Sequence, residues 1–350
     1  EASFRLRREP IIIKFKTNTY PAKKDNYERG LKMSSKSSKK NISFKAIYAV
    51  LGVALACLTP IRIYQLICLN ERDSSGFFAR INPSVYIFYA LAVVFAVALF
   101  VLVTLSNKVT ASKSVRGKSK SLLIGSALFA LGLAYDTGIC VGSFIKAVTS
   151  YGAGSNVMAY LFSNGMFALF FEAVFGLCAC IYFILFALYY NDGKGNFSDY
   201  KFLALTPLFW AMFKTVYRFM TKISFTVLAD LMLELGMLIF MMLFFMSFAR
   251  ISSQVCQKYE MRKAMRYGLI GAMFALVIGI SRLAVTVCGL SSTLPTGFPF
   301  SLTDLTFGIF AIIYVAACSK SGRSASEDDL LADNDEKPSK DTVDEDFLNN

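Results

Sequence analysis

Residues 224–249, SFTVLADLMLELGMLIFMMLFFMSFA, form an apolar run that is interrupted by only two acids, Asp230 and Glu234. About 20 helical residues cross the ~30 Å hydrocarbon core of a bilayer, so this run is long enough to span a membrane. It lacks the alternation of apolar and polar residues that a membrane β-strand requires. The run therefore predicts a membrane-spanning α-helix that carries two carboxylates inside the bilayer.

The rest of the chain has the same character. Of its 350 residues, 55% are hydrophobic and only 17% are charged, which is far from the composition of a soluble protein. Further apolar runs match 224–249 in length, and none shows a period of two. We predict an all-α, polytopic integral membrane protein with eight transmembrane helices, at residues 46–68, 84–105, 121–148, 165–190, 202–221, 224–249, 267–289 and 301–318.

Basic residues in the connecting segments indicate the orientation of the spans, because Lys and Arg accumulate on the cytoplasmic side. Counted from Met33, the segments near the spans hold 18 Lys and Arg on one side of the membrane. The opposite side holds only Arg72, Arg80 and Lys222. This bias predicts two cytoplasmic termini and an even number of spans, in agreement with eight.

The two ends of the chain differ from the membrane domain at 46–318. Residues 1–45 are basic and polar, whereas residues 319–350 carry ten acids against four bases, and we expect both segments to be disordered. The acidic tail is either an arm for a cytoplasmic protein partner or a solvating tail. Glu28-Arg29-Gly30 can be encoded by a ribosome-binding sequence just before Met33, so residues 1–32 are either absent from the natural protein or an ordinary basic leader.

Ionisable residues also lie inside the apolar runs or at their rims, and the orientation places most of them in the outer half of the bilayer. An unpaired charge that faces lipid at the bilayer centre costs about 2.5–3.5 kcal/mol on the insertion scale, so these groups must turn inward, pair or reach the surface. Lys146, Arg218 and Asp304 are close enough to the surface to reach water. The full set comprises Arg62, Asp136, Lys146, Glu172, Lys214, Arg218, Asp230, Glu234, Arg282 and Asp304.

The fifth and sixth spans carry the most regular charge pattern. Lys214 and Arg218 are four residues apart, as are Asp230 and Glu234, so each pair shares one helix face. A hairpin folded about residue 222 sets Lys214 level with Asp230. The pattern predicts a Lys214–Asp230 ion pair, flanked by Arg218 and Glu234.

Two interpretations of these intramembrane charges remain open. They could form a water-accessible pocket that opens outward and binds or transports a small charged or zwitterionic solute. Alternatively, they are buried ion pairs that fix the helix neighbours of a membrane scaffold or sensory partner protein. The predicted ligand-binding residues are Arg62, Asp136, Glu172, Lys214, Arg218, Asp230, Glu234 and Arg282.

Catalytic and metal-binding motifs find no support. The chain has no His and no Cys-x-x-Cys, so we predict neither a metal site nor a cofactor. Asp136-Thr137-Gly138 spells the aspartic protease triplet, but it is single and lies inside a predicted helix. We predict no catalytic residue. We expect the surplus of basic residues to face anionic lipid headgroups rather than nucleic acid.

Gly138 and Gly142 form a small-x-x-x-small pair, which favours close helix packing.

Two short parts of the sequence resemble a known group of proteins. These are Arg62-Ile63-Tyr64-Gln65-Leu66 followed by Ser75-Gly76-Phe77-Phe78, and the stretch from Pro207-Leu208-Phe209-Trp210 to Phe248-Ala249-Arg250. In them the chain resembles multi-spanning membrane proteins of Gram-positive anaerobic bacteria. The resemblance implies a bacterial cytoplasmic-membrane setting and carries no activity with it.

Overall fold

Eight α-helices account for most of the residues that the computed structural model describes, and these residues contain no strand. The described residues are 43–69, 82–106, 115, 117–149, 165–193, 200–220, 228–253, 257–295 and 299–335, and they belong to one unit, Lys40–Asn350. The helices are α1 (Phe44–Cys68), α2 (Pro83–Leu105), α3 (Lys120–Thr149), α4 (Met166–Asp192), α5 (Thr206–Met220), α6 (Leu228–Ser252), α7 (Gln257–Val287) and α8 (Leu302–Asp335).

Seven of these helices are long and apolar enough to cross a membrane, which confirms a polytopic, all-α membrane protein. The exception is α5, which has 15 residues and therefore a length of about 22 Å at 1.5 Å per residue. A short 3-10 turn, Leu203–Leu205, precedes it. The fifth predicted span is thus helical, and its crossing of the bilayer stays a prediction.

The helix boundaries differ from the predicted spans mainly at the polar ends. Helix α7 begins at Gln257 instead of 267, and α8 continues to Asp335 instead of ending at 318. The prediction of a disordered tail from residue 319 therefore differs from the structure over 319–335. Hydropathy marks only the apolar part of a helix, so it cannot show how far the same helix extends into polar sequence. Residues 1–42 and 336–350, where the remaining parts of both terminal segments lie, are outside the described residues.

Six helices form a closed ring. Helix α3 packs against α4, α4 against α5, α5 against α6, α6 against α7, and α7 against α8, which returns to α3. Helices α1 and α2 pack against each other, and both contact the outside of this ring at α7. The ring encloses an interior that side chains from α3 to α8 share.

Aromatic side chains pack against one another inside the ring. The ring of Phe129 on α3 stacks at 5.5 Å from Phe310 on α8 and meets Phe183 on α4 edge to face at 4.7 Å. Since lipid tails are as apolar as these side chains, tight van der Waals packing is the force that favours this contact. We call this fully buried group the aromatic plug: Phe129, Phe183, Phe244, Phe245, Phe248, Phe307 and Phe310.

Two glycines allow close helix approach beside the plug. At Gly176 on α4, an added Cβ would lie 2.5 Å from the Thr137 hydroxyl and 3.1 Å from the Trp210 ring. At Gly132 on α3, an added Cβ would overlap Thr306 on α8, and the Thr303 hydroxyl donates to the Gly132 carbonyl at 3.0 Å. The predicted packing role of Gly138 and Gly142 is wrong for the described part of the chain, where a Cβ added at either glycine would have no neighbouring atom within 4 Å.

Candidate functional site

A cavity of about 220 Å³ lies between α3, α4, α5 and the segment that leads into α8. It is partly open, and it lies at the end of the ring where α4 and α8 begin and α5 ends. The aromatic plug lies deeper in the ring, toward the opposite end. Helical spacing explains the lining, because residues three, four and seven apart share one helix face. The cavity is lined by Asp136, Ile139, Cys140 and Ser143 of α3, by Leu169 and Glu172 of α4, by Lys214, Tyr217 and Arg218 of α5, and by Pro299, Phe300 and Ser301 before α8.

Lys214 occupies the centre of one set of ion pairs. Its Nζ lies 3.2 Å from Asp136 Oδ2 and 3.8 Å from Asp304 Oδ1. The Ser301 hydroxyl also donates to Asp136 Oδ2 at 3.0 Å. Nζ is 5.1 Å from the centre of the Trp210 ring, a cation–π distance. The Lys214 side chain is only 5% exposed, and its ammonium group is neutralised by two carboxylates from different helices.

Glu234 on α6 joins two arginines behind the cavity. Its Oε1 lies 2.8 Å from Arg218 Nε, and its Oε2 accepts a hydrogen bond from Arg282 Nη2 at 3.1 Å. Arg282 also lies 3.8 Å from Asp304 Oδ2, and its Nη1 donates to the Pro299 carbonyl at 3.5 Å. Every helix of the ring thus gives at least one charged side chain to this end of its interior.

Glu172 differs from the other buried carboxylates. It is 4% exposed, and the described residues offer it no ion pair within 4 Å. The Cys140 thiol donates weakly to its Oε1 at 3.6 Å. Its Oε2 is buried and has no hydrogen-bond partner among the described residues, a state it shares with Glu234 Oε1 and both Asp304 oxygens, which do lie within 4 Å of a base. A buried acceptor without a partner costs about 1–3 kcal/mol, so this oxygen is ready to accept a hydrogen bond.

A second, separate ion pair joins α1 to α6. Arg62 pairs with Asp230, and both side chains are almost fully buried. Arg62 Nη1 donates to Gln65 Oε1 at 3.0 Å, and Gln65 Nε2 donates to the Ser84 carbonyl at the start of α2 at 3.1 Å. Neither Arg62 nor Asp230 lines the cavity. This pair fixes α1 and α2 against the ring.

The structure therefore separates the eight predicted ligand-binding residues into three groups. Asp136, Glu172, Lys214 and Arg218 line the cavity. Glu234 and Arg282 lie directly behind it, in contact with Arg218 and Asp304. Arg62 and Asp230 pair with each other elsewhere.

The predicted Lys214–Asp230 pair is wrong. Lys214 pairs with Asp136 and Asp304, and Asp230 with Arg62. The prediction assumed a tight turn about residue 222, but α5 ends at Met220 and α6 begins only at Leu228. Asp230 therefore falls in the first turn of α6, and Glu234, one turn deeper, is the α6 carboxylate that reaches α5.

Asp304 is the main residue that the sequence prediction left out of the site. Its position near the start of a span suggested a side chain that reaches water, yet it is 1% exposed and contacts Lys214 and Arg282. Its surroundings depend on the approach of α8 to α3 at Gly132, for which the sequence offers no local signal. Cys140, by contrast, could have been found because it lies one helical turn after Asp136.

Among the described residues, no group of three or more His, Cys, Asp or Glu side chains could hold a metal ion. Comparison with protein-family models, curated proteins and solved structures gives no significant match to this chain.

Proposed function

We propose that this protein is a multi-pass protein of a bacterial cytoplasmic membrane that binds a small charged or zwitterionic solute in the cavity and carries it across the bilayer. The observation that supports this most strongly is a partly open, 220 Å³ cavity lined by two acids and two bases, with a buried Glu172 oxygen that lacks a partner among the described residues. If the residue served only helix packing, a hydrogen-bonded or apolar side chain at position 172 would make the protein more stable than this carboxylate does.

The proposal includes eight membrane crossings with both termini in the cytoplasm. Helix α5 together with Leu203–Leu205 spans residues 203–220, and its two cations are neutralised by carboxylates on neighbouring helices. A helix that inserts together with its neighbours does not expose these charges to lipid. With the basic segments inside, the cavity opens outward and the aromatic plug faces the cytoplasm.

This arrangement is the outward-open state of a carrier. The solute enters from outside and stops at the plug, where the packed Phe rings leave no path. Passage to the cytoplasm requires a second arrangement in which the contacts of Phe129 with Phe183 and Phe310 separate while the outer end closes.

A scaffold or sensory partner protein is the second candidate. The Arg62–Asp230 pair supports it, since this pair is buried, lies away from the cavity and joins helices rather than lining a space. In this alternative the acidic C-terminal tail contacts a cytoplasmic protein and the charge cluster only fixes the helix arrangement.

Access of water to the cavity distinguishes the two candidates. Cys140 lines the cavity, whereas Cys318 is fully buried on α8 beyond the plug. We expect an externally added, membrane-impermeant charged thiol reagent to label a variant that retains only Cys140, and also Ser143→Cys in a background without native cysteines. A variant that retains only Cys318 is the control and should stay unlabelled. Absence of labelling at both positions 140 and 143 would reject the pocket and favour the scaffold.

A further inference from the structure

We infer that the solute is a small organic cation with a primary ammonium group and that Glu172 is the carboxylate that binds it. This inference deepens the proposed solute-binding function and rests on it. It depends on the charge balance of the site, on the hydrogen-bonding state of Glu172, and on the size and walls of the cavity.

The charge balance favours a cation. The connected site at this end of the ring contains four acids, Asp136, Glu172, Glu234 and Asp304, and three bases, Lys214, Arg218 and Arg282. Each base lies within ion-pair distance of a carboxylate, and each acid except Glu172 lies within such a distance of a base. With all seven groups ionised, these described residues carry one excess negative charge, and Glu172 is the carboxylate among them that has no base within 4 Å. A monovalent cation restores neutrality, whereas an anion increases the imbalance of a buried site.

The state of Glu172 favours a cation that donates hydrogen bonds. Its Oε2 is a buried acceptor without a described partner. A primary ammonium group has three N–H donors, as the Lys side chain does, whereas a quaternary ammonium group has none. A charge-assisted N–H···O bond is about twice as strong as a neutral one. The Ser143 hydroxyl on the cavity wall is a further acceptor for the remaining N–H groups.

The cavity sets the size and the apolar character of the rest of the ligand. An engineered protein cavity of about 150 Å³ takes up benzene, so a space of about 220 Å³ holds a molecule of at least six non-hydrogen atoms. Apolar side chains, Ile139, Leu169 and Phe300, line the cavity beside the charged groups. A short alkyl or aryl chain that ends in an ammonium group matches both kinds of wall.

Calorimetric titration of the purified protein in lipid nanodiscs at pH 7 tests the inference with small probes that differ mainly in charge and in N–H donors. The probes are n-butylammonium, butyrate, 4-aminobutyrate and 1-butanol, with tetramethylammonium as a cation without N–H donors. We expect n-butylammonium to bind at least tenfold more tightly than each of the other four. Tighter binding of butyrate or 4-aminobutyrate, or equal binding of tetramethylammonium, would overturn the inference and leave solute binding itself intact.

Substitutions test whether Glu172 is the residue that binds the cation. We expect Glu172→Gln to reduce n-butylammonium affinity at least tenfold and to fold normally, because it removes no ion pair. Asp192→Asn removes the same charge from the exposed far end of α4 and should bind as the wild type does. Ser143→Phe obstructs the cavity without touching an ion pair and should also abolish binding, which provides a second test if Glu172→Gln folds poorly.

Two outcomes would count against the assignment. Wild-type affinity in a folded Glu172→Gln or Ser143→Phe variant would move the cation elsewhere and overturn the inference. Failure of all five probes to bind, together with no labelling of Cys140, would instead overturn the proposed function on which the inference rests.

Discussion

Lys214 shows how single residues make a charged interior compatible with a bilayer. Its ammonium group reaches Asp136, 78 residues earlier, and Asp304 on α8, and it lies against the Trp210 ring. A buried ion pair contributes little net stability compared with apolar packing, but loss of one partner leaves a charge that water cannot solvate. The pairs therefore determine which helices can be neighbours more than how stable the fold is.

A double-mutant cycle tests the Lys214–Asp136 pair. Lys214→Met and Asp136→Asn should each lower stability because each leaves a charge short of a partner. The loss should be below the ~3–5 kcal/mol of a fully buried pair, since the Asp136 side chain is 13% exposed. The double variant should recover part of the loss, with a coupling energy of about 0.5–3 kcal/mol measured by thermal unfolding in detergent. Lys214→Met combined with Asp230→Asn is the control and should be additive. Additivity for Lys214 and Asp136 would contradict the observed pair.

Among the helices, α5 depends most on its neighbours. It is too short to form a hydrophobic span alone and carries Lys214 and Arg218 on one face, yet its Trp210 and Ala211 are buried in the ring. Contact with α4 occurs where Gly176 leaves room for Trp210 and Thr137. The absence of a side chain at one α4 position thus places the cations of α5 beside Asp136 and Glu172.

Substitution of this glycine should disturb the site from a distance. Gly176→Ala forces a methyl group into contact with Thr137 and Trp210, and overpacking of this kind costs about 1–3 kcal/mol. We expect a lower melting temperature and weaker n-butylammonium binding. Gly138→Ala on α3 is the matched control, since its Cβ meets no described atom, and it should leave both properties unchanged. An equal effect of the two substitutions would contradict the packing described for α4 and α5.

The helix bundle has two chemically different sides. Charged side chains and the cavity occupy the end where α4, α6 and α8 begin, and the aromatic plug lies toward the other end. A cavity closed on one side by packed apolar rings has the asymmetry that the proposed alternating access requires. Its orientation in the cell depends on whether α5 crosses the membrane.

Topology reporters test this orientation. An enzyme active only outside the cell should be active when fused after Gly154, Lys222 or Thr296, and silent after Arg116, Gly195 or Lys258, because basic segments stay in the cytoplasm. The comparison of Gly195 with Lys222 isolates α5. If both fusions report the same side, α5 does not cross, and the prediction of eight crossings is wrong.

The sequence by itself predicted much of the architecture. Hydropathy and length are local properties, and they were sufficient to place all eight helices and to recognise the membrane class, since a segment's affinity for the bilayer depends mainly on its own residues. The cost of an isolated charge in hydrocarbon also indicated that the intramembrane ionisable residues had to interact with one another. Four of them, Asp136, Glu172, Lys214 and Arg218, do line one cavity.

Only the tertiary structure decided the partners. Whether Lys214 meets Asp230 or Asp136 depends on where α5 ends, where α6 begins and how closely α3 approaches α8, and these follow from contacts between residues far apart in the chain. The same contacts bury Asp304 and pair Asp230 with Arg62. They also leave Glu172 without an ion-pair partner within 4 Å among the described residues. Helices of similar apolarity can pack in many registers, and side-chain interlocking at positions such as Gly132 and Gly176 selects one of them.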